Sequence, residues 1–446
     1  MTQLQTILQG AAAEPSRPWP RYVLVREQWA ALMRAPLTLL GAWADTQQVY
    51  ALFADPASGA VLPVSIEVEV GFYPALSPTH PDAALFERAI HDLWGHKAAD
   101  GEDRPWLDHG RWPHTHPLSI RPGPRPPSAD PPEFQEIAGE GLMQWPIGPV
   151  GPGIGEAQHL RLTLDGTKIV GAECRLGYTH KGTLTLMRSK SPRTAARFAA
   201  RLAGDATVAH ALAFALATEA ALDVEAPPRA AALRATMAAL ERVATRLDDL
   251  GALAALLGAA NLHGRCGVQQ EYLRRGLMAT FGHRLGMDCV VPGGVAGDAE
   301  ANGLSGMRQI LGALLAELPA IRAGFAAGAV AGRLEALDRD DLTQRRMDAI
   351  AEDVATVIPL LSDLPESPLS VALPLHSGEG LGHATSARGD IWHWLRLDHG
   401  QIASVFPIDP GWRRWKAAEA ALLGAEAGDA ELICCLMGLP VSAMDL

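Results

Sequence analysis

The stretch FAARLAGDATVAHALAFALA, residues 198–217, interrupts an apolar helical pattern with an aspartate, a glycine and a histidine. Asp205 and His210 are side chains in it that can exchange protons or hydrogen-bond a polar ligand. No cysteine accompanies them, so this stretch offers no thiolate to a soft metal ion. We therefore treat Asp205 and His210 as candidate residues of a polar cavity.

A second concentration of titratable groups occurs in CRLGYTHKG, residues 174–182. It brings Arg175, Tyr178 and His180 together at the end of a strand-like segment that leads into apolar helices. Such clustering suggests a polar cavity, but from composition alone an ordinary hydrogen-bonded loop is the favoured interpretation.

The remaining motifs give weaker indications of a functional site. The glycine-rich segments GPVGPGIGE and VVPGGVAGD have neither the GxGxxG order of a dinucleotide site nor the lysine of a phosphate-binding loop, so they indicate tight turns. His109, His114 and His116 lie beside a proline-rich segment without a third ligand at a typical spacing, which favours surface over a metal site. The five cysteines show no CxxC spacing and are expected to be reduced.

The elements that must position these residues follow from hydrophobic periodicity. Alternating segments between residues 22 and 69 predict strands, and residues 81–98 predict a helix. HLRLTLDGTKIVGAECRLGY predicts a hairpin with Asp165 and Gly166 at its turn. Long alanine- and leucine-rich segments from Arg193 to about Leu361 predict helices, and a mixed piece of strands and one helix follows.

These elements predict an α+β protein. A small N-terminal α+β domain is expected at residues 1–112, and a proline-rich linker at residues 113–137 contains eight prolines from Pro113 to Pro132. Residues 138–446 are expected to form a large, mainly helical domain with a small antiparallel sheet at its start and a mixed C-terminal segment.

Composition limits the class of partner. The formal net charge of −12 argues against nucleic-acid binding, which needs a basic face. The most apolar windows contain charges or proline, so they predict no membrane span. The N-terminus lacks the pattern of a secretory signal, and we expect a cytoplasmic protein that contacts the membrane only through partners.

Six segments resemble, in order, the large subunit of energy-converting nickel–iron hydrogenases, a family related to the 49 kDa-type subunit of respiratory complex I. They are GEGLMQWPIGPVGPGIGEAQHLRL, CRLGYTHKGTLTLM, RLAGDATVAHALAFALATEAAL, PPRAAALRATMAALERVATRLDDLGAL, GHRLGMDCVVPGGVAGD and SARGDIWHWL. FERAIHDLWGHKAADGEDRPWLDHGRWP resembles the 30 kDa-type subunit of complex I. The chain is thus similar to a fusion of the two subunits.

The resemblance implies a nickel–iron centre held by two pairs of cysteines, and this sequence departs from that pattern. Ala203 and Ala206 stand at the positions of the first pair, and Cys434 and Cys435 lie upstream of the second. Alanine cannot bind a metal, so we expect no nickel–iron centre, no other metal site and no hydrogenase activity.

In the complex I relatives the corresponding cavity receives the head group of a quinone beside a histidine. Gly151 stands where that histidine would fall. The candidates that could replace it are Glu156, His159, Tyr178, His180 and Arg388, together with Asp205 and His210; His159 and Arg175 are the candidates for binding the acceptor. No covalently bound cofactor is expected.

Two functions remain. In the first, the chain belongs to a membrane-associated oxidoreductase complex, peripheral on the inner face of the membrane, and its cavity binds a quinone or related acceptor beside an iron–sulfur cluster on a small subunit. In the second, it is a non-catalytic scaffold that docks the small subunit onto the membrane-arm subunits. Both imply an exposed apolar surface, expected near residues 261–272 and the C-terminal piece.

Overall fold

The structure is a computed structural model that describes residues 3–102, 104–125, 134–135, 137–150, 156–337 and 340–446. The α+β class predicted from the sequence is confirmed, because helices and several separate sheets alternate along the chain. The proposed boundaries at residues 112 and 137 stay a prediction.

The N-terminal part contains a mixed five-stranded sheet with the order β1-β3-β6-β5-β4, and helices α2 and α3 pack on it. Its elements are α1 (Gln3–Ile7), β1 (Ala12–Glu14), β2 (Ser16–Arg17), β3 (Arg21–Val23), α2 (Arg26–Met33), β4 (Thr38–Ala44), β5 (Gln48–Ala54), β6 (Val61–Glu67), β7 (Phe72–Pro74), α3 (Ala84–Trp94), β8 (Lys97–Ala99), β9 (His114–Thr115) and β10 (Gly123–Pro124).

The middle part begins with an antiparallel sheet of three strands, as predicted, and continues as helices, of which α7 to α11 pack around one apolar core. Its elements are β11 (Met143–Ile147), β12 (His159–Asp165), β13 (Lys168–Arg175), α4 (Thr183–Met187), α5 (Pro192–Ala199), α6 (Thr207–Leu222), α7 (Pro228–Leu256), α8 (Ala260–Phe281), β14 (Val290–Val291), β15 (Gly294–Val295), α9 (Ala301–Phe325), α10 (Gly328–Ala336) and α11 (Asp340–Leu360).

The C-terminal part is a sheet followed by two helices, with the elements β16 (Gly378–Ser386), β17 (Gly389–Asp398), β18 (Gln401–Ile408), α12 (Gly411–Leu422) and α13 (Ala430–Met437). The short N-terminal strand β2 joins this sheet beside β16. Trp43 and Tyr50 of the N-terminal sheet pack on Trp394, with ring centroids 5.6 and 4.8 Å away. One apolar core therefore extends from the N-terminal sheet to the C-terminal residues.

Glycines in β16 allow α6 to lie directly on the sheet. A Cβ atom at Gly378, Gly380 or Gly382 would stand 2.1 Å from a carbonyl oxygen of α6, that of Ala221, Ala217 and Ala213 respectively. Two strand residues advance about as far as four helical residues, so the two repeats stay in register. This contact brings the start of α6 to the turn between β16 and β17, where Arg388 lies.

A second connection to α6 is a sealed ion pair. Arg234 on α7 binds both carboxylate oxygens of Glu219 on α6, at 2.5 and 3.1 Å, and both side chains are about 5% exposed or less. The Arg234 guanidinium also donates to the carbonyl oxygens of Val291 and Gly294. The charge is thus buried with its hydrogen bonds satisfied.

In the part of the chain that the structure describes, no single helix has the length and apolar character needed to cross a membrane. The helices α9 and α10 meet that requirement only when taken together, and they are bent by 69° at the break between them.

Candidate functional site

The polar cavity is a space of about 410 Å³ between the start of α6, the helices α7 and α8, the turn before β17 and the C-terminal residues 439–441. Exposed residues such as Asp248 and Arg284 contribute to its wall, so it opens to the surface. Its lining residues are Glu156, Gln158, Gly204, Asp205, Glu241, Ala244, Thr245, Asp248, Arg274, Leu277, Arg284, Leu285, Arg388, Leu439, Pro440 and Val441. Three of the residues predicted from the sequence, Glu156, Asp205 and Arg388, are therefore brought together.

An arginine between two aspartates forms one wall of the polar cavity. The Nε of Arg388 donates to Asp205 at 2.6 Å, and its terminal nitrogens contact Asp249 at 3.0 and 3.2 Å. The Asp205 side chain is 31% exposed, while that of Arg388 is 14% exposed. Burial lowers the pKa of Arg388, but the two carboxylates outweigh it and raise the pKa above its ordinary value, so the group stays cationic.

Two carboxyl groups of the polar cavity are held toward the protonated form. Burial raises the pKa of Glu241 to about 8, against the opposing effect of two backbone N–H groups, those of Val208 and Ala209 at the start of α6. Burial, with repulsion from Asp205, also raises the pKa of Glu156, whose carboxylate accepts from the backbone N–H of Ser442 at 2.9 Å. With a pKa of about 8, Glu241 is a carboxyl of the polar cavity that can give up a proton near neutral pH.

Arg175, Tyr178 and His180 lie in a different space, the hairpin cavity, of about 370 Å³. It lies between the end of β13 and the segment that follows β8, and His109 and Trp112 also line it. The His180 ring donates to the carbonyl oxygen of Asp445 at 2.6 Å, and burial lowers its pKa. Residues that the sequence analysis assigned to one cavity are therefore divided between two cavities in the structure.

His159 is associated with the hairpin cavity through Tyr178. Its Nδ1 lies 3.2 Å from the Tyr178 hydroxyl, and its ring stacks edge-on against Phe134. Burial, together with the nearby Arg161 and Arg175, lowers the pKa of His159 to about 4, and burial raises the pKa of Tyr178. A neutral imidazole beside a protonated phenol can only exchange a hydrogen bond here, because neither group ionises near pH 7.

His210 is sealed inside the protein. Its Nδ1 lies 3.0 Å from Nε2 of His393 on β17, and its Nε2 lies 3.2 Å from Asp409. Burial, and then the neighbouring His210, holds the pKa of His393 well below its ordinary value. In this arrangement His393 donates a hydrogen bond to His210, and His210 donates one to Asp409. The buried Nδ1 of His393 then carries a lone pair and no hydrogen, so no donor is left without a partner at this atom. His210 thus holds α6 to the sheet and does not line the polar cavity.

The side chains at the positions of the implied metal ligands do not fit a nickel–iron centre. Ala203 and Ala206 are buried and pack in one apolar cluster with Ala443 near the C-terminus. Methyl groups cannot coordinate a metal. Among the described residues, no group of three or more histidine, cysteine or acidic side chains is arranged to hold a metal ion. Gly151, the position of the expected histidine, lies outside the described residues.

Several polar residues in or beside the polar cavity wall were not predicted from the sequence. Glu241, Thr245 and Asp248 recur on α7 at intervals of four and three residues, which places them on one helix face, and Asp249 follows directly. This spacing could have identified these residues from the sequence. Arg274 gave no such signal, because nothing in the local pattern of α8 distinguishes it from its neighbour Arg275.

The exposed apolar surface predicted near residues 261–272 corresponds to the outer face of α8, where Val268, Tyr272 and Met278 are about half exposed. The end of the chain differs from the expectation, since Val441 and Leu446 are buried against the body of the protein.

Comparison with known proteins gives no matching family model. Hydrogenase-4 component G of Escherichia coli (strain K12) is 30% identical over 201 residues, which cover 43% of this chain and 36% of the relative. An NADH-quinone oxidoreductase chain of Solibacter usitatus (strain Ellin6076) is 34% identical over 113 residues, 25% of this chain and 30% of the relative. The chain thus spans about a third of the length of the curated relatives it matches.

Among solved structures, a chain of the membrane-bound sulfane sulfur reductase, an archaeal respiratory membrane complex, superposes with a TM-score of 0.64 at 18% identity, covering 68% of this chain and 98% of that chain. At this identity the match shows a shared fold. With the curated relatives, it confirms the resemblance to energy-converting hydrogenases and complex I.

Proposed function

We propose that this chain, similar to subunits of membrane-bound hydrogenases and of complex I, is a subunit of a membrane-associated energy-converting oxidoreductase complex whose polar cavity receives a quinone or a related electron acceptor. The observation that carries the proposal is the Asp205–Arg388–Asp249 arrangement on the wall of an open cavity of about 410 Å³. That volume lies within the range of small-molecule sites.

The residues of the polar cavity suit the reduction of a carbonyl-type acceptor. Reduction of a quinone to the quinol takes up two electrons and two protons. The electrons would come from an iron–sulfur cluster on a partner small subunit. Glu156 and Glu241, whose pKa values are raised, can supply protons and regain them from solvent. Arg388 stays cationic and can stabilise negative charge that develops on an acceptor oxygen.

Hydrogen activation is not part of the proposal. The apolar packing of Ala203, Ala206 and Ala443 supports the loss of the metal centre, because no thiolate stands at these positions. We expect the electron-donating cluster to lie on a small subunit, and the membrane-arm subunits to hold the assembly at the inner face of the membrane. The exposed face of α8, with Val268 and Tyr272, is our candidate for one of these contacts.

A non-catalytic scaffold is the second candidate. The same exposed face of α8 supports docking to partners without requiring any chemistry. A scaffold does not account for an ionisable cavity that remains open, because a space without a ligand gains stability when apolar side chains fill it. We therefore favour the redox function.

The test is the substitution Asp205→Ala in the purified native complex. Asp249 still binds Arg388 in this variant, so assembly should be intact. Loss of one of the two carboxylates frees Arg388 to move, and turnover should fall by on the order of 10- to 100-fold. The measurement is reduction of a short-chain quinone analogue with reduced methyl viologen as the electron source.

Asp298→Ala is the matched control, because Asp298 binds Arg229 through both carboxylate oxygens outside the polar cavity. It should leave turnover unchanged. Normal turnover of a correctly assembled Asp205→Ala complex would count against the redox function and in favour of the scaffold.

A further inference from the structure

The polar cavity contains two arginines that the proposed chemistry does not use. Arg274 projects from the middle of α8, and Arg284 follows the glycine that ends this helix. The Nε of Arg274 is buried and has no hydrogen-bond partner among the residues that the structure describes. Arg284 reaches only Glu271, at 3.5 Å, with both side chains about half exposed. Neither guanidinium is therefore firmly paired.

The carboxyl groups on the same wall are largely committed elsewhere. Asp205 binds Arg388, Glu156 accepts from the backbone N–H of Ser442, and a pKa of about 8 favours the neutral form of Glu241 near pH 7. Asp248 is the remaining acidic side chain of the cavity lining, and it is exposed to solvent. Arg274 and Arg284 line the cavity without a close carboxylate partner among the described residues, so an anion in the cavity would form charge-assisted hydrogen bonds with them.

We propose that the ligand of the polar cavity carries an anionic group, and that Arg274 and Arg284 bind it. This inference rests on the proposed function, because it takes the polar cavity to be the acceptor site. It narrows the acceptor to a class: a redox-active molecule with a carboxylate, sulfonate or similarly charged oxyanion group, rather than an uncharged one. Arg388, already held by two aspartates, then remains available for the reacting oxygen.

The experiment compares two probes that share a ring system, anthraquinone-2-sulfonate and the uncharged anthraquinone-2-methanol. Each is titrated into the full-length chain by isothermal titration calorimetry at low and high salt. The sulfonate should bind at least about tenfold more tightly at low salt, because a single partly buried ion pair is worth more than about 1.4 kcal/mol. This preference should weaken at high salt, since part of the wall is exposed.

Arg274→Gln and Arg284→Gln should each reduce the preference for the sulfonate by about fivefold or more. The control is Arg265→Gln, because Arg265 also lies on α8 but binds Glu317 and is not among the residues that line the cavity. It should leave the preference unchanged.

Four results separate this inference from the proposed function. Equal binding of the two probes, or a preference that survives both substitutions, overturns the anion site and leaves an uncharged acceptor. If Arg265→Gln abolishes the preference as strongly, the anion site is also overturned, because the effect is then one of overall charge. Failure of both probes to bind to the folded chain overturns both proposals. The expected binding pattern, combined with unchanged turnover of Asp205→Ala, keeps the anion site and removes the redox function.

Discussion

Arg234 and Arg388 are both buried arginines that bind carboxylates on or beside α6, yet their surroundings differ. Arg234 shares its donors between Glu219 and two backbone carbonyls, and both side chains of the pair are sealed. Arg388 shares its donors between two aspartates, one of which, Asp205, faces the polar cavity. A buried ion pair alone therefore does not mark a functional site. The useful sign is a partner that is left accessible to a ligand.

The largest effect is expected at the sealed pair. Arg234→Gln leaves the Glu219 carboxylate buried, and among the described residues the N–H of Gly293 is then its remaining partner. The free energy of unfolding should fall by about 3–5 kcal/mol. Urea denaturation followed by circular dichroism measures it. A loss below about 1 kcal/mol would mean that solvent reaches this pair, and that the contrast with Arg388 does not hold.

An intermediate effect is expected at Glu241, whose response depends on pH. Its pKa is about 8 in the folded chain and near 4.5 when unperturbed, so between these values the folded state retains a proton that the unfolded state has released. The free energy of unfolding should therefore decrease as the pH rises from about 5 to 8, and level off above.

Glu241→Gln cannot ionise, so it should show a decrease over the same pH range that is smaller by on the order of 2 kcal/mol. Denaturation of both chains at pH 5 and pH 8 gives the comparison. Parallel curves would show that the two helical N–H groups keep Glu241 ionised throughout.

The smallest effect is expected at an ion pair on the protein surface. Arg275 and Glu271 are one helical turn apart on α8, with side chains 73% and 45% exposed. Arg275→Gln should reduce the free energy of unfolding by no more than about 0.5 kcal/mol. This variant sets the baseline for the two buried substitutions, and a loss comparable to that of Arg234→Gln would show that burial does not govern these pairs.

The sequence predicted the fold class and most elements correctly, because helical and strand periodicities are local properties. The hairpin of β12 and β13, with its turn after Asp165, is an example. The final mixed piece was predicted as short strands and loops, whereas β16, β17 and β18 are eight to ten residues long and form one continuous sheet.

The site was less predictable, since its parts meet over long separations. Asp205 and Arg388 are 183 residues apart; the local pattern indicated Asp205, but only the resemblance suggested Arg388. His210 is five residues from Asp205, but it lies within α6 and faces the sheet, while Asp205 precedes the helix. Which face of α6 is turned toward the sheet depends on the contact of this helix with the glycines of β16. A local sequence pattern does not show that contact. The placement of His180 and Tyr178 in the hairpin cavity also depends on contacts between distant parts of the sequence, such as that of His180 with Asp445.

The glycines of β16 also limit how the polar cavity can respond to a ligand. Helix backbone and strand backbone are in direct contact at Gly378, Gly380 and Gly382, so α6, which Asp205 directly precedes, cannot move closer to the strand that leads to Arg388. This wall of the polar cavity is therefore expected to be rigid. Any adjustment to the size of a bound molecule must come from the opposite side, through rotamers of Arg274 and Arg284 or displacement of residues 439–441.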